Sequence, residues 1–424
     1  MLNRKQAPVI VDAVDFKLQL KPCDRYQLDN GVEVYAVNAG AEDVLQFEWV
    51  FFAGNSYEER NLIAATTNFL LRNGTSRRSA FQINEHFEYY GAYLNRSCFN
   101  ETATISLHCL SKHVQELLPV VRELITESVM PETELAIYKQ NMQQRLKVNL
   151  KKSDFVAGRL IDTYLFGEKH PYGKYSKAED FESLQRDPLM AFYQQFYQQG
   201  KLVLFVAGKL PADLQTLLNA SFGDLPNQAN AMPEALLQPA TEKKYRIMND
   251  PEGVQGSIRM ARDFPNRHHP DFMKAMVLNC VFGGFFGSRL MSNIREDKGY
   301  TYGIHSYLMN HLQHSGWMVA TEAGKDVSEA TVAEVYKEMK DLREELVDEE
   351  ELQLVRNYMM GSILGDLDGP FQIIGRWKNI ILNGLDEKYF YDSIQTIRSI
   401  TAEELRELAR KYFKEEDFYE LVVV

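Results

Sequence analysis

The chain repeats itself at long range, and that repeat restricts it to folds built from one unit used twice. Residues 190–206, MAFYQQFYQQGKLVLFV, and the C-terminal stretch from Leu405, LRELARKYFKEEDFYELVVV, share one pattern. Each reads as an amphipathic helix, an aromatic pair, a short polar turn and a terminal apolar strand. Phe196-Tyr197 falls on Tyr412-Phe413 at an offset of 216 residues, and the same offset carries MPETEL at Met130 onto LVDEEE at Leu346. Both of these open a long helix, with acids in the first turn where the helix dipole favours them. The stretch GDLPNQANAMPEALLQPATEK, from Gly223, holds three prolines among polar and small residues and reads as the link between the copies. This gives a first domain at 1–225, a linker at 226–244 and a second domain at 245–424.

Within the first copy, GVEVYAVNAG and VLQFEWVFFAG read as strands. SAFQINEHFEYYGA opens with a capping box, Ser79 to Gln82, and carries Ile83, Phe87 and Tyr90 on one helical face. ETATISLHCL alternates, with Ala103, Ile105, Leu107 and Cys109 facing one way and Thr102, Thr104, Ser106 and His108 the other. Helices are expected around 113–128 and 132–151. In NLIAATTNFLLRNGTSRRS, Asn61 to Ser79, the residues Leu62, Ile63, Phe69 and Leu70 at i, i+1, i+7 and i+8 predict one helical face, and Gly74 sits where a left-handed C-cap is wanted. Hairpin strands with helices in blocks give an α+β fold: two homologous domains, each a mainly antiparallel sheet with helices packed on one face.

Composition bounds the function. The 424 residues are 45% hydrophobic and 25% charged, with a net charge of −12. A nucleic-acid partner needs a basic surface and is not expected. Cys23, Cys98, Cys109 and Cys280 have no paired spacing and read as free thiols of a reducing compartment, with two disulfides as the alternative. MLNRKQAPVIVDAVDF lacks the apolar core of a secretory signal, and no apolar run is long enough to span a membrane. A cytoplasmic protein without membrane partners is expected.

Four passages together resemble the pitrilysin, or insulinase-like, zinc metallopeptidase family. They are the repeated half, LLRNGTSRRS, YYGAYLNRSCFNETATISLHCL, and GSRLMSNIREDKGYTYG in the second half. Active members of that family carry H-x-x-E-H on the helix before the Gly-Thr. Two histidines at i and i+4 share a helical face and bind Zn²⁺, and the glutamate is the general base for its water. In the family's register this motif falls on Ala65-Thr66-Thr67-Asn68-Phe69, so both ligands and the base are absent. No histidine lies between Met1 and Glu85, so no shift of register restores them. The family's third ligand is a glutamate on a later helix. The corresponding YKQNMQQRLKVNLKKS, from Tyr138, contains no acid.

Other metal constellations are weaker than ordinary surface histidines: His311 and His314; Glu85, His86 and Glu88; His268 and His269. No G-x-S-x-G elbow, Walker A motif or dinucleotide fingerprint is found. In the family's active pairs, an arginine and a tyrosine from the second domain reach towards the partner's zinc site, and the matching positions are Arg295 and Tyr302. The fork of an arginine suits carbonyls and carboxylates, and a phenol can donate to an oxyanion. The structural alternatives are a helix-end role for Arg295 before Gly299 and a packed strand position for Tyr302. Gly283 and Gly284, in FGGFFGSRL, either admit a substrate backbone or break a helix.

The resemblance implies a non-catalytic subunit of a two-chain zinc peptidase. It would form half of a peptide-binding chamber and supply Arg295 and Tyr302 to a homologous zinc-bearing subunit. No cofactor is expected in this chain, and zinc is expected in the partner. A homodimer, a structural scaffold like the respiratory-complex core subunits, and an active zinc endopeptidase with unrecognised ligands are the alternatives. The repeat predicts that residues 26–222 and 245–424 follow the same chain path and face each other across a cavity. Superposing the two halves of an experimental structure tests this, and two unrelated paths would refute it.

Overall fold

A computed structural model of the chain describes residues 12–424. Residues 1–11, most of the segment read above for a leader, lie outside the described residues. In chain order the elements are β1 (Asp24–Gln27), β2 (Glu33–Asn38), β3 (Val44–Phe51), α1 (Ile63–Leu70), α2 (Ala80–Tyr89), β4 (Tyr93–Cys98), β5 (Ala103–Leu110), α3 (Val114–Glu127) and α4 (Glu132–Asn149). There follow α5 (Ser153–Phe166), α6 (Ala178–Ser183), α7 (Arg186–Tyr193), β6 (Leu202–Gly208) and α8 (Leu214–Phe222). After residues 226–243, which hold no helix or strand, come β7 (Lys244–Ile247), β8 (Gln255–Phe264), α9 (Phe272–Asn279), β9 (Thr301–Leu308) and β10 (Ser315–Gly324). The chain ends with α10 (Ser328–Glu344), α11 (Glu349–Gly365), α12 (Pro370–Leu382), α13 (Glu387–Ser399), α14 (Ala402–Tyr412) and β11 (Tyr419–Val423).

Two compact units emerge. One comprises Pro22–Ala261, Gly369–Lys378 and Tyr419–Val424. The other comprises the described residues up to Lys21, Arg262–Asp368 and Asn379–Phe418.

The first six strands form one sheet in the order β1-β2-β6-β3-β5-β4. Only the β2/β6 pair is parallel. The period-two pattern explains which face is covered. Phe47, Trp49 and Phe51 of β3 and Ile105 and Leu107 of β5 are fully buried. They meet helix-borne rings: Phe51 lies 4.8 Å from Tyr197, and Trp49 lies 5.5 Å from Phe222. On the opposite face, Glu48 pairs with Lys378, and Phe371 sits edge-on to His108 at 5.7 Å, so the start of α12 covers this polar side. The second sheet has the order β7-β11-β8-β10-β9, with β11 parallel to β7 and antiparallel to β8. That order is β2-β6-β3-β5-β4 repeated, without a counterpart of β1.

The helix starts follow their sequence signals. Ser79 Oγ accepts from the Gln82 amide at 3.3 Å, and Gln82 Oε1 accepts from the Ser79 amide at 3.0 Å. α4 begins at Glu132 and α11 at Glu349, close to the 216-residue offset. Asp348 caps α11 by accepting from the Glu351 amide at 2.8 Å.

Two local expectations fail around α1. Phe69 is 39% exposed, whereas Leu70 is fully buried. The buried face is instead Ile63, Ala64, Thr66, Thr67, Asn68 and Leu70. Leu62 precedes the helix in a left-handed conformation, at φ 73°. A helix of eight residues is too short for an i, i+7 match to define a face. Gly74 does not cap α1, which ends at Leu70. Its φ is +140°, and a Cβ there would come within 3.0 Å of Pro131 Cγ, so close approach to the start of α4 fixes the glycine.

Buried leucines of β5 carry the usual cost of cavity formation. Leu107→Ala is expected to lower the unfolding free energy by about 3 kcal/mol in urea titration, and Ile137→Ala, at an exposed site, by less than about 0.5. Burial pushes the Asp162 carboxyl of α5 up to about 7, and Arg259 of β8 only partly offsets this. Below the unfolded value of about 4 both states are protonated, so this contribution is fully present. It is lost as pH rises towards 7, because the unfolded chain ionises first. Asp162→Asn should therefore match the wild type at acid pH and exceed it in urea midpoint at pH 8, and a gap that does not change with pH contradicts the assignment.

Candidate functional site

The side chains of α1 and α4 fill the place where the resemblance puts a metal. Ala65 offers no donor atom. Asn68 is 3% exposed, and its Nδ2 donates to Tyr197 Oη at 3.2 Å. Burial drives the Tyr197 phenol well above its ordinary value, so it stays protonated beside a neutral amide. Phe69 packs on Tyr138 of α4 with ring centroids 4.8 Å apart. Tyr138 is itself buried, and burial raises its phenol. A hydrocarbon, an amide and a tilted ring pair thus stand at the positions a metal would need for imidazole and carboxylate donors. These residues do not fit a zinc ion. Among the described residues no group of three or more His, Cys, Asp or Glu side chains could hold a metal.

The histidines considered above are engaged in local structure. His86 Nε2 lies 3.0 Å from the Glu116 carbonyl. His268 Nε2 lies 2.9 Å from the Asn383 carbonyl, and His269 Nδ1 accepts from the Asp271 amide at 3.1 Å. Burial lowers the His314 imidazole. The four cysteines are free, and burial pushes each thiol up to about 12, which makes them poor nucleophiles.

Sequence reasoning missed two arginines beside the Phe69–Tyr138 pair. Arg96 of β4 donates through Nη1 to the Phe69 carbonyl, and its Cζ lies 5.0 Å from the centre of the Phe69 ring. Arg72, just past α1, donates to the Leu94 carbonyl at 2.8 Å. Burial and then the nearby Arg72 charge pull Arg96 down to about 10. The signal was present as an arginine within the β4 sequence YLNRSC, but nothing in the sequence places it against α1.

Arg295 lies in a π-helical stretch, Met291–Asp297, which stops at Gly299 with φ +64°. Its Nε donates to the Tyr302 carbonyl at 3.1 Å, and its guanidinium stacks on Phe286 at 4.7 Å. The two candidate residues are therefore together. Tyr302 is 91% exposed and is not packed in the sheet, although Ile304, Ser306 and Leu308 farther along β9 are buried. The β9/β10 register slips between Thr321 and Ala323, at the level of Tyr302, and such irregularities re-aim side chains. Gly283 faces the chain itself: a Cβ there would come within 2.8 Å of Leu290 and Ser306 side-chain atoms. That contact packs the end of α9 on β9. Gly284 is exposed, with Asn279 as its nearest neighbour.

A family description, the peptidase M16 inactive domain, matches residues 183–359. Over most of the chain there is a relative in Bacillus subtilis named uncharacterized zinc protease YmxG. It is 24% identical over 401 residues, covering 92% of this chain and 96% of that protein. The chain is thus similar to the pitrilysin-like M16 peptidases, with the inactive-domain description matched over residues 183–359. Another relative, from Helicobacter pylori, is named non-peptidase homolog YmxG and is 25% identical over 321 residues, covering 74% of this chain and 73% of that protein. The M16 fold recurs in a crystal structure of a peptidase M16 inactive domain from Pseudomonas fluorescens, with a TM-score of 0.85, 23% identity, and coverage of 95% of this chain and 98% of that one. It recurs in a chain of complex III from Candida albicans, with a TM-score of 0.75, 14% identity, and coverage of 94% and 95%.

The donor set at α1 and α4 generates a direct expectation. The purified chain, dialysed without chelator, should carry far less than one equivalent of zinc by elemental analysis. One tightly held zinc per chain, lost on substitution within α1, would overturn this description.

Proposed function

We propose that this M16 chain is the non-catalytic subunit of a two-chain zinc peptidase, acting on extended peptides in the cytoplasm. The homologous partner chain would hold the zinc and perform hydrolysis. This chain would contribute part of the peptide-binding surface together with Arg295 and Tyr302. The observation that carries this reading is the pairing of α1 and the α4 stretch from Tyr138, which lack histidine and acid, with a Tyr302 phenol that is 91% exposed and anchored through its carbonyl by Arg295. A tyrosine so exposed on a strand gains nothing from the core, and a phenol free to donate is suited to an oxyanion. β4 is the edge strand of the first sheet, a position at which an extended chain can add, although its Leu94 carbonyl is taken by Arg72.

A scaffold role is the second reading, and the complex III likeness favours it. It gives Tyr302 no task.

In a reconstituted pair, a donor to the oxyanion is worth about 3 kcal/mol, or roughly 100-fold in rate. Arg295→Ala and Tyr302→Phe should each lower peptide turnover by about that factor, with melting temperatures close to wild type. Unchanged turnover in both variants would leave the scaffold reading ahead. A large fall in melting temperature would assign Arg295 to the end of its helix instead.

A further inference from the structure

Arg72 and Arg96 are two guanidinium groups with no carboxylate. Each spends one Nη1 on a backbone carbonyl of the other's element, tying the end of α1 to β4. Among the described residues neither forms an ion pair, and Arg96 Nε has no hydrogen-bond partner. A guanidinium carries five N–H donors in a planar fork, so most of the capacity of this pair is unspent. Two like charges held near each other are unfavourable until an anion joins them.

The surroundings extend the positive character. From Leu135 to Ser153 the chain carries five lysines and arginines and no acid, although its net charge is −12. Arg145 lies seven residues beyond Tyr138, two turns along the same face of α4, and is exposed. Asn68, in the position of the missing base, is committed to Tyr197. The region therefore holds fixed cations beside a ring pair, and the nearby buried Glu58 carboxylate is already paired with Lys174.

We propose that Arg96 and Arg72 bind a side-chain carboxylate of an extended acidic peptide, with Phe69 and Tyr138 as the adjoining apolar floor. This rests on the peptide-binding reading above and adds the substrate class: segments rich in Asp and Glu are held and not cut at this position. A forked guanidinium accepts a carboxylate through two parallel N–H···O bonds, which gives orientation as well as charge recognition.

The test uses the full chain alone, with no partner. Binding of dye-labelled acetyl-Leu-Glu-Leu-Glu-Leu-Glu-amide is compared by fluorescence anisotropy with its glutamine counterpart. The acidic peptide should bind about tenfold more tightly, and the advantage should shrink as sodium chloride is raised. Arg96→Gln and Arg72→Gln should each bring the two peptides to nearly equal affinity while melting temperatures stay close to wild type. If Arg96→Gln does not fold, Arg72→Gln and the surface change Arg145→Gln carry the comparison. Equal binding of both peptides by the wild type overturns the charge reading alone, as does a preference that survives in the folded variants. No binding of either peptide overturns the peptide-binding reading beneath it. Inorganic phosphate or acetate competing as strongly as the peptide assigns the pair to a small anion and overturns the peptide as its ligand.

Discussion

The insertion of a late strand into the middle of each sheet is the constraint on which the rest depends. β6 joins β2 in parallel and β3 antiparallel, and all seven of its residues are buried. It enters only after the chain has passed through β4, β5 and the long helices. β11 repeats the move between β7 and β8 with the last residues described. Closing so long an excursion costs loop entropy, and a fully apolar strand flanked on both sides offsets that cost with ladder hydrogen bonds and burial. Once β6 is seated, β3 and β5 are fixed in register, β4 is left as an edge, and α1 is held against it.

That arrangement determines what the site can do. α1 crosses beneath the edge strand and presents Asn68 inward and Phe69 outward, against Tyr138 of α4. A metal site needs convergent lone pairs; this region instead has an amide already bonded to a buried phenol, a tilted pair of rings and two guanidinium groups. Such a surface offers guanidinium donors to a carbonyl or carboxylate in place of the convergent donors a metal needs. In the other unit, Arg295 spends its Nε on the Tyr302 backbone and leaves the phenol in solvent. A group so placed can serve chemistry whose other participants lie elsewhere.

Much of the fold was legible because its signals are local or periodic. The alternation of Ala103, Ile105, Leu107 and Cys109 gave β5, the Ser79/Gln82 box gave the start of α2, and the acids after Pro131 and Val347 gave α4 and α11. The repeated C-terminal pattern gave β6 and β11 before any pairing was known. What escaped was decided by tertiary contact. Phe69 was grouped on one face with Leu62, Ile63 and Leu70, but α1 is too short for periodicity to define a face, and Phe69 is exposed while Leu70 is buried. Gly74 looked like a cap because the sequence does not reveal that Pro131 approaches it. The exposure of Tyr302 depends on a register slip in a partner strand, and the pairing of Arg96 with the end of α1 depends on two elements far apart in sequence.

The central claim is that hydrolysis requires a second, zinc-bearing chain. It is tested most directly by turnover of a quenched fluorogenic peptide, measured for this chain alone, for a homologous chain carrying H-x-x-E-H, and for their equimolar mixture. The account predicts that this chain alone is inert even with added zinc, and that the mixture is active and silenced by a chelator. Chelator-sensitive turnover by this chain on its own would contradict it.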